Sequence, residues 1–338
     1  MQGNTRKKIK SVSYGKYGYL FIAPFFLSYF IFSFWPLVKT FWLSVQEYYW
    51  FGGSKKVRPG MIGPDFCGLD NFKSLIWNKI DKVYTFDTQA VESFKTTGSI
   101  WAVNFIPQIL LALVLAVWLT DTKMKLKGQG AFKIMIYMPN IITAASVSFL
   151  FYSLFGNEGP ITEMLRDAGL VARNFDFMLS ATGTRGIISF ILFWMWYGNT
   201  MLLIIAGILG INPSLFEAAN IDGASGIKTF FRITLPMLKP IILFVLVTSA
   251  IGGLQMYDIP AMFNVDQVGN GGPDYKSTTV TMYIKLKAFG ADKDMGVASA
   301  VSVILFLITL IISLVMFFFL GDKETPKVKK KKGLGVLR

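Results

Sequence analysis

The 338-residue chain has no histidine and a single cysteine, Cys67. A His/Cys metal site and a disulfide within the chain are therefore both excluded. No G-x-x-x-x-G-K-[ST] segment occurs, so the chain lacks the phosphate-cradling loop needed to hydrolyse ATP by itself. Charge is scarce, at 16% of residues, and it is missing altogether from five long apolar runs. These are Ser99–Leu119, Ile134–Phe155, Gly186–Leu209, Ile241–Tyr257 and Val297–Leu320. With no histidine and its only thiol outside these runs, the chain offers a membrane-embedded enzyme neither nucleophile nor acid–base pair.

What is present is apolar surface. The composition is 53% hydrophobic with mean hydropathy +0.50, too apolar for a soluble domain and typical of a polytopic membrane protein. A span needs about 17–25 residues, so all five runs qualify. A sixth run, from Tyr19 to Leu43, follows a polar start carrying Arg6, Lys7, Lys8, Lys10 and Lys16. It is longer than a signal-peptide core and lacks a small-residue cleavage site, so it reads as an uncleaved first span. Pro24 and Pro36 are expected to bend or end it, and Lys39 to snorkel to the far interface. Residues 47–92 read as a long polar loop with short helices near Asn71–Asn78. The expected fold is all-α, with six spans and both termini on one side.

Lys and Arg decide which side. Residues 1–18, 120–133, 210–240 and 321–338 hold 19 basic residues against five acids, a net charge of +14. The opposite loops, 47–92, 157–182 and 258–295, have a net charge of −3, and the edge residues Lys39, Lys95 and Arg185 bring it to zero. The positive face is expected to be cytoplasmic, with both termini there, in a multi-pass protein of a prokaryotic plasma membrane. The basic balance is thus topology, not nucleic-acid binding. The tail Lys329–Lys332 is also suited to anionic membrane lipid.

On that face lies Glu217–Pro236, EAANIDGASGIKTFFRITLP. Two short helices are expected. The first starts at Pro213, with Ser214 and Glu217 spaced as a capping box, and stops at Gly223, where positive φ is free of steric cost. The second covers Ile227–Thr234 and must end before Pro236.

The spacing here resembles the cytoplasmic loop of the permease subunits of binding-protein-dependent ABC importers. That loop reads E-A-A, three residues, G, nine residues, I-x-L-P. Glu217, Ala218, Ala219, Gly223, Ile233, Leu235 and Pro236 match it at every position. The first span has the family's two prolines. Gly68-Leu69-Asp70-Asn71-Phe72, Pro139-Asn140, Gly271-Gly272-Pro273 and Ala298-Ser299-Ala300 resemble, in order, features of its carbohydrate branch, closest to the larger maltose-type permease without its extra spans and inserted domain. The resemblance implies a MetI-like permease domain over residues 19–320, with an external loop at 47–92 and a coupling loop at 210–240. A cytoplasmic segment (1–18) and a basic tail (321–338) flank it. It also implies partners: a sibling permease, two ATPase subunits that bind ATP and Mg, and an extracytoplasmic solute-binding protein. The chain itself would bind no cofactor, would not be catalytic, and would carry sugars or related solutes.

For the solute site, Thr248, Gly252 and Gln255 are spaced i, i+4, i+7 and share one face of the fifth span. Gln255 lies about 21 Å beyond Ile241, in the outer half. On the fourth span, Trp194, Trp196, Tyr197 and Asn199 offer aromatic faces and an amide. Small, amide and aromatic residues also serve helix packing and interfaces. The absence of charge in the spans favours a neutral solute. A secondary transporter or channel would also have six spans, but would more often carry intramembrane carboxylates and would not need the loop motif.

Overall fold

The computed structural model describes residues 15–52, 60–80, 83–86, 88–121, 128–263, 271–272, 275–290 and 293–321. The basic N-terminal residues through Lys10, the lysine tail and Pro273 lie outside them. Among the described residues, five helical stretches are long and apolar enough to cross a membrane, six if one bent pair is counted as a span.

The first span consists of α1 (Gly15–Tyr29), a π-helical turn at Phe30–Phe34, and α2 (Trp35–Leu43). The N–H of Trp35 bonds back five residues to the carbonyl of Phe30. Pro36 has no N–H, and its ring would clash with a carbonyl four residues back in a regular helix. The wider π turn relieves that clash and lets the span continue. The most apolar window of Tyr17–Leu43 buries nothing within this chain.

The segment expected to be a polar loop with short helices is instead built largely from hairpins. Strand β1 (Gln46–Phe51) pairs antiparallel with β2 (Gly60–Phe66), and α3 (Asp70–Ser74) follows. A second hairpin joins β3 (Trp77–Ile80) to β4 (Val83–Phe86). The aromatic run Tyr48–Phe51 favours a half-buried strand over a loop. Asn71 holds the first hairpin in place. Its amide donates to the carbonyls of Ser44 (3.0 Å) and Gln46 (2.8 Å).

The second span, α4 (Thr88–Thr120), begins eleven residues before the apolar run at Ser99. The third run is not one straight helix. It forms α5 (Gln129–Tyr137), a 3-10 turn (Met138–Ile141) and α6 (Ala144–Phe155), and the two arms meet at 87°. Pro139 cannot continue the ladder, and Ile142 is extended. Thr143 then caps the new helix by accepting from Ser146 N–H at 3.2 Å. Asn140 pins the corner by donating to the carbonyl of Met195 at 3.3 Å.

A short α7 (Pro160–Asp167) leads to the fourth span, α8 (Ala181–Leu209). The loop helices α9 (Pro213–Ile221), α10 (Gly226–Thr229) and α11 (Leu235–Met237) come next. The fifth span, expected over Ile241–Tyr257, is longer and broken: α12 (Lys239–Leu254) and α13 (Asp258–Phe263) flank Gln255–Tyr257. The buried Met256 carbonyl at the break accepts the hydroxyls of Thr279 (3.0 Å) and Thr281. Thr279 also caps α14 (Val280–Phe289), and α15 (Met295–Leu320) is the last span.

The helices α4 and α8 form the centre. Gln108 donates to Thr200 across them at 2.7 Å, and both residues are buried. Near the end that carries α9–α11, Ala112, Ala116, Met201, Ile204 and Leu238 pack together. Toward the hairpin end, Leu75, Val280, Tyr283, Val301 and Leu305 make a second cluster. Small residues at the first contact let the backbones approach, which is how helices associate where lipid is as apolar as leucine.

Candidate functional site

A cavity of about 470 Å³ opens between α4, the start of α6, α8 and the broken α12–α13 span. Thr248, Gly252 and Gln255 all line it, as do Trp196 and Asn199. Thr248 and Gly252 face it from α12, while Gln255 sits just past the helix end. The Thr248 hydroxyl donates to the Phe244 carbonyl at 2.7 Å. Trp194 and Tyr197 point elsewhere. The ring of Trp194 packs 5.9 Å from Phe151 in the core, and Tyr197 stacks on Phe193 at 5.7 Å. At 3.6 residues per turn, the cavity-facing stripe of α8 runs through 192, 195–196, 199 and 203, leaving 194 and 197 on its flanks.

Sequence reasoning missed the wall supplied by α4: Trp101, Asn104 and Gln108. The signal was there. Asn104 and Gln108 are amides four residues apart in a charge-free span, the same feature that singled out Gln255. Trp101 lies against α12 with its indole N–H donating to Ser249 at 3.2 Å. Only glycine at 253 permits this, because a Cβ there would fall 2.0 Å from Trp101 Cδ1. The wall also includes Tyr257 and Asp258, the one ionisable carboxyl among its lining residues. Lys285 reaches toward this wall and donates to the Tyr257 hydroxyl. The cavity therefore combines flat aromatic faces with amide, hydroxyl and carboxylate groups. It can stack on a ring and hydrogen-bond its periphery. Among the described residues no cluster of His, Cys, Asp or Glu could hold a metal ion.

The loop is a different kind of site. Helix α9 is capped by Asn212, whose side chain accepts from Ser214 N–H at 3.1 Å. The Ser214–Glu217 capping box does not form, because Ser214 is already inside the helix, one residue past Pro213. The end of α9 is a Schellman turn: Ala224 N–H bonds to Ala219 at 2.9 Å and Gly223 N–H to Asn220 at 3.1 Å. Gly223 sits at φ +70, as its place in the sequence anticipated.

The second loop helix does not stop before Pro236. It passes from α10 through a π turn at Phe230–Thr234 into α11. The N–H of Leu235 bonds to Phe230, five residues back, so Pro236 is accommodated as Pro36 is. Of the motif residues, Glu217, Ala218, Gly223 and Pro236 are exposed, Ala219 is buried, and Ile233 and Leu235 are half-buried. Three apolar neighbours are strongly exposed within this chain: Ile221 at 86%, Ile227 at 74% and Phe231 at 61%.

Residues 97–321, from α4 to the end of α15, match the family described as "Binding-protein-dependent transport system inner membrane component". The chain belongs to this family. The lactose transport system permease protein LacF of Rhizobium radiobacter is 28% identical over 324 residues, covering 96% of this chain and 100% of LacF. The probable ABC transporter permease protein YesP of Bacillus subtilis (strain 168) is 30% identical over 302 residues, 89% of each chain. A chain of the bacterial alginate ABC transporter, solved in complex with alginate pentasaccharide-bound periplasmic protein, superposes with TM-score 0.68 at 19% identity. The match covers 90% of this chain and 93% of that one, and shows a shared fold. The chain is thus a multi-pass permease of an inner membrane, serving transport that depends on a binding protein.

Proposed function

We propose that the chain forms half of the solute pathway of an ATP-driven carbohydrate importer. The observation that carries this is the cavity wall, where Trp101, Trp196 and Tyr257 stand among Asn104, Asn199, Gln255 and Thr248. Saccharides present flat C–H faces and rings of hydroxyls, and this wall offers a complement to both. LacF and the alginate transporter are named for such solutes. Thr248, Gly252, Gln255, Trp196 and Asn199 are the proposed contacts, joined by Trp101 and Asn104.

The 210–240 loop faces the cytoplasm in this proposal, because the basic residues gather on its side. It docks on a separate ATPase subunit, which binds ATP and Mg and does the hydrolysis. A sibling permease completes the pathway, a second ATPase serves it, and an external binding protein delivers the solute. Transport is coupled only if the loop contacts the ATPase differently in the inward- and outward-facing states.

The test is uptake of labelled sugars in cells expressing the complete system. ATP depletion should abolish it, and collapse of ion gradients at constant ATP should leave it intact. The opposite pattern would identify a secondary transporter instead.

A further inference from the structure

The break in the fifth span brings a carboxylate to the cavity. The apolar run ends at Tyr257, yet the helical stretch long and apolar enough to cross a membrane continues to Phe263, so Asp258 lies inside it. An ionisable residue at such a place is costly and marks a solute path, an ion path or a charged partner. Asp258 is exposed and makes no ion pair among the described residues. Of the described residues that line the cavity, it is the only one of the Asp, Glu, Lys and Arg class.

Tyr257 lines the same cavity, and helix α14 holds the break that carries both residues. Thr279 and Thr281 donate to the Met256 carbonyl, and Lys285, one turn beyond Thr281, donates to the Tyr257 hydroxyl. The Lys285 ammonium also lies 4.8 Å from the centre of the Tyr257 ring, and Lys285 is not itself a lining residue. An ammonium has donors only, so the phenol oxygen accepts and its own proton is left for another acceptor. Tyr257 thus supplies a donor next to the acceptor oxygens of Asp258. Neighbouring hydroxyls of an uncharged polyol satisfy both, because a hydroxyl donates and accepts. A carboxylate or phosphate on the solute meets Asp258 with like charge, between low-dielectric walls that screen it poorly.

Resting on the solute pathway proposed above, we propose that Tyr257 and Asp258 make the cavity selective for uncharged polyhydroxy solutes over acidic ones, with Lys285 as the positioning residue for Tyr257. Asp258 also stands in the first turn of α13, where a carboxylate favours the helix. That role alone would alter stability and leave discrimination between solutes unchanged.

The experiment is saturation-transfer NMR on the purified complete transporter without its binding protein, which would otherwise screen solutes first. The probes are galactobiose and cellobiose, each beside the disaccharide in which uronic acid replaces hexose. The wild type should bind a neutral probe about tenfold more tightly than its acidic counterpart, and Asp258→Asn should narrow that ratio to about threefold or less. Tyr257→Phe and Lys285→Met should weaken neutral binding several-fold, while Lys285→Arg should keep it. If Asp258→Asn fails to assemble, the wild type supplies the test: raising salt from about 0.1 M to about 1 M should shrink the ratio and leave neutral binding constant. Equal binding of neutral and acidic probes, or a ratio untouched by both Asp258→Asn and salt, would overturn the proposal. So would Lys285→Met weakening the acidic probes more than the neutral ones, since the ammonium would then serve anions. Each of these leaves neutral binding intact and the saccharide pathway standing; loss of all neutral binding in the wild type would sink both.

Discussion

The cavity and the loop are finished to different degrees within the chain. At the cavity, three polar side chains of α4 find partners close by: Gln108 on Thr200, Trp101 on Ser249, Asn104 on the carbonyl of Ile100. The glycine under Trp101 is shaped to that one side chain. At the loop, backbone groups are satisfied by Asn212, by the Schellman turn and by Ser225, but side chains are not. Phe231 and Ile221 lie open, and four charges make no ion pair among the described residues. The cavity wall is set by this chain's own packing, whereas the loop has a settled backbone and an unsettled surface. A substitution at the cavity should therefore alter what is carried, and one at the loop should alter what is bound.

The largest break in this contrast is expected from Gly223→Asp. A Cβ at Gly223 meets nothing within 4 Å in this chain, and Asp tolerates positive φ better than most residues. The chain should insert and fold, yet lose its ATPase on co-purification and transport nothing. Next is Gly253→Ala, where the added methyl must displace the indole. Uptake should fall about tenfold or more, equivalent to about 1.4 kcal/mol, with the ATPase still bound. Gln255→Ala should raise KM for the native solute several-fold, again without loss of the ATPase; unchanged kinetics would remove Gln255 from the site. Glu217→Ala should cost least. Its carboxylate caps no helix, since Asn212 does that work, so ATPase retention should fall about twofold rather than by the larger effect of a lost cap, about 0.5–2 kcal/mol.

Orientation is separately testable at Cys67, which lies just past the first hairpin. Partial burial, together with the carboxylates of Asp70 and Glu47, raises its pKa; the backbone N–H of Asn71 opposes this. Only the thiolate reacts, so an impermeant maleimide should label intact or outer-membrane-permeabilised cells slowly near neutral pH and faster as pH rises. Labelling that requires a broken inner membrane would invert the topology.

Much of this was legible in the residues themselves. Charge-free runs marked the spans, and the E-A-A…G…I-x-L-P spacing marked the loop, including the positive φ of Gly223. What was not legible depends on where helices meet or break. Hydropathy is blind to direction, so the right-angled corner at Pro139–Thr143 looked like one span. Proline rules predicted a stop before Pro236 because they assume an α-helix, and the π turn changes the geometry they rest on. The i, i+4, i+7 argument found Thr248, Gly252 and Gln255 but could not reveal Trp101, whose place depends on a glycine 152 positions away. Trp194 and Tyr197 were chosen for their aromatic chemistry and their place on the fourth span, and helical phase turns them from the cavity.

The most direct test joins the two regions. In proteoliposomes holding the complete transporter with bound ATPase, ATP hydrolysis is measured with and without solute-loaded binding protein, for the wild type and for Gly253→Ala. Loaded binding protein should stimulate the wild type, and Gly253→Ala should keep basal hydrolysis while losing most of the stimulation. Equal stimulation in both would mean that the cavity wall has no part in the pathway.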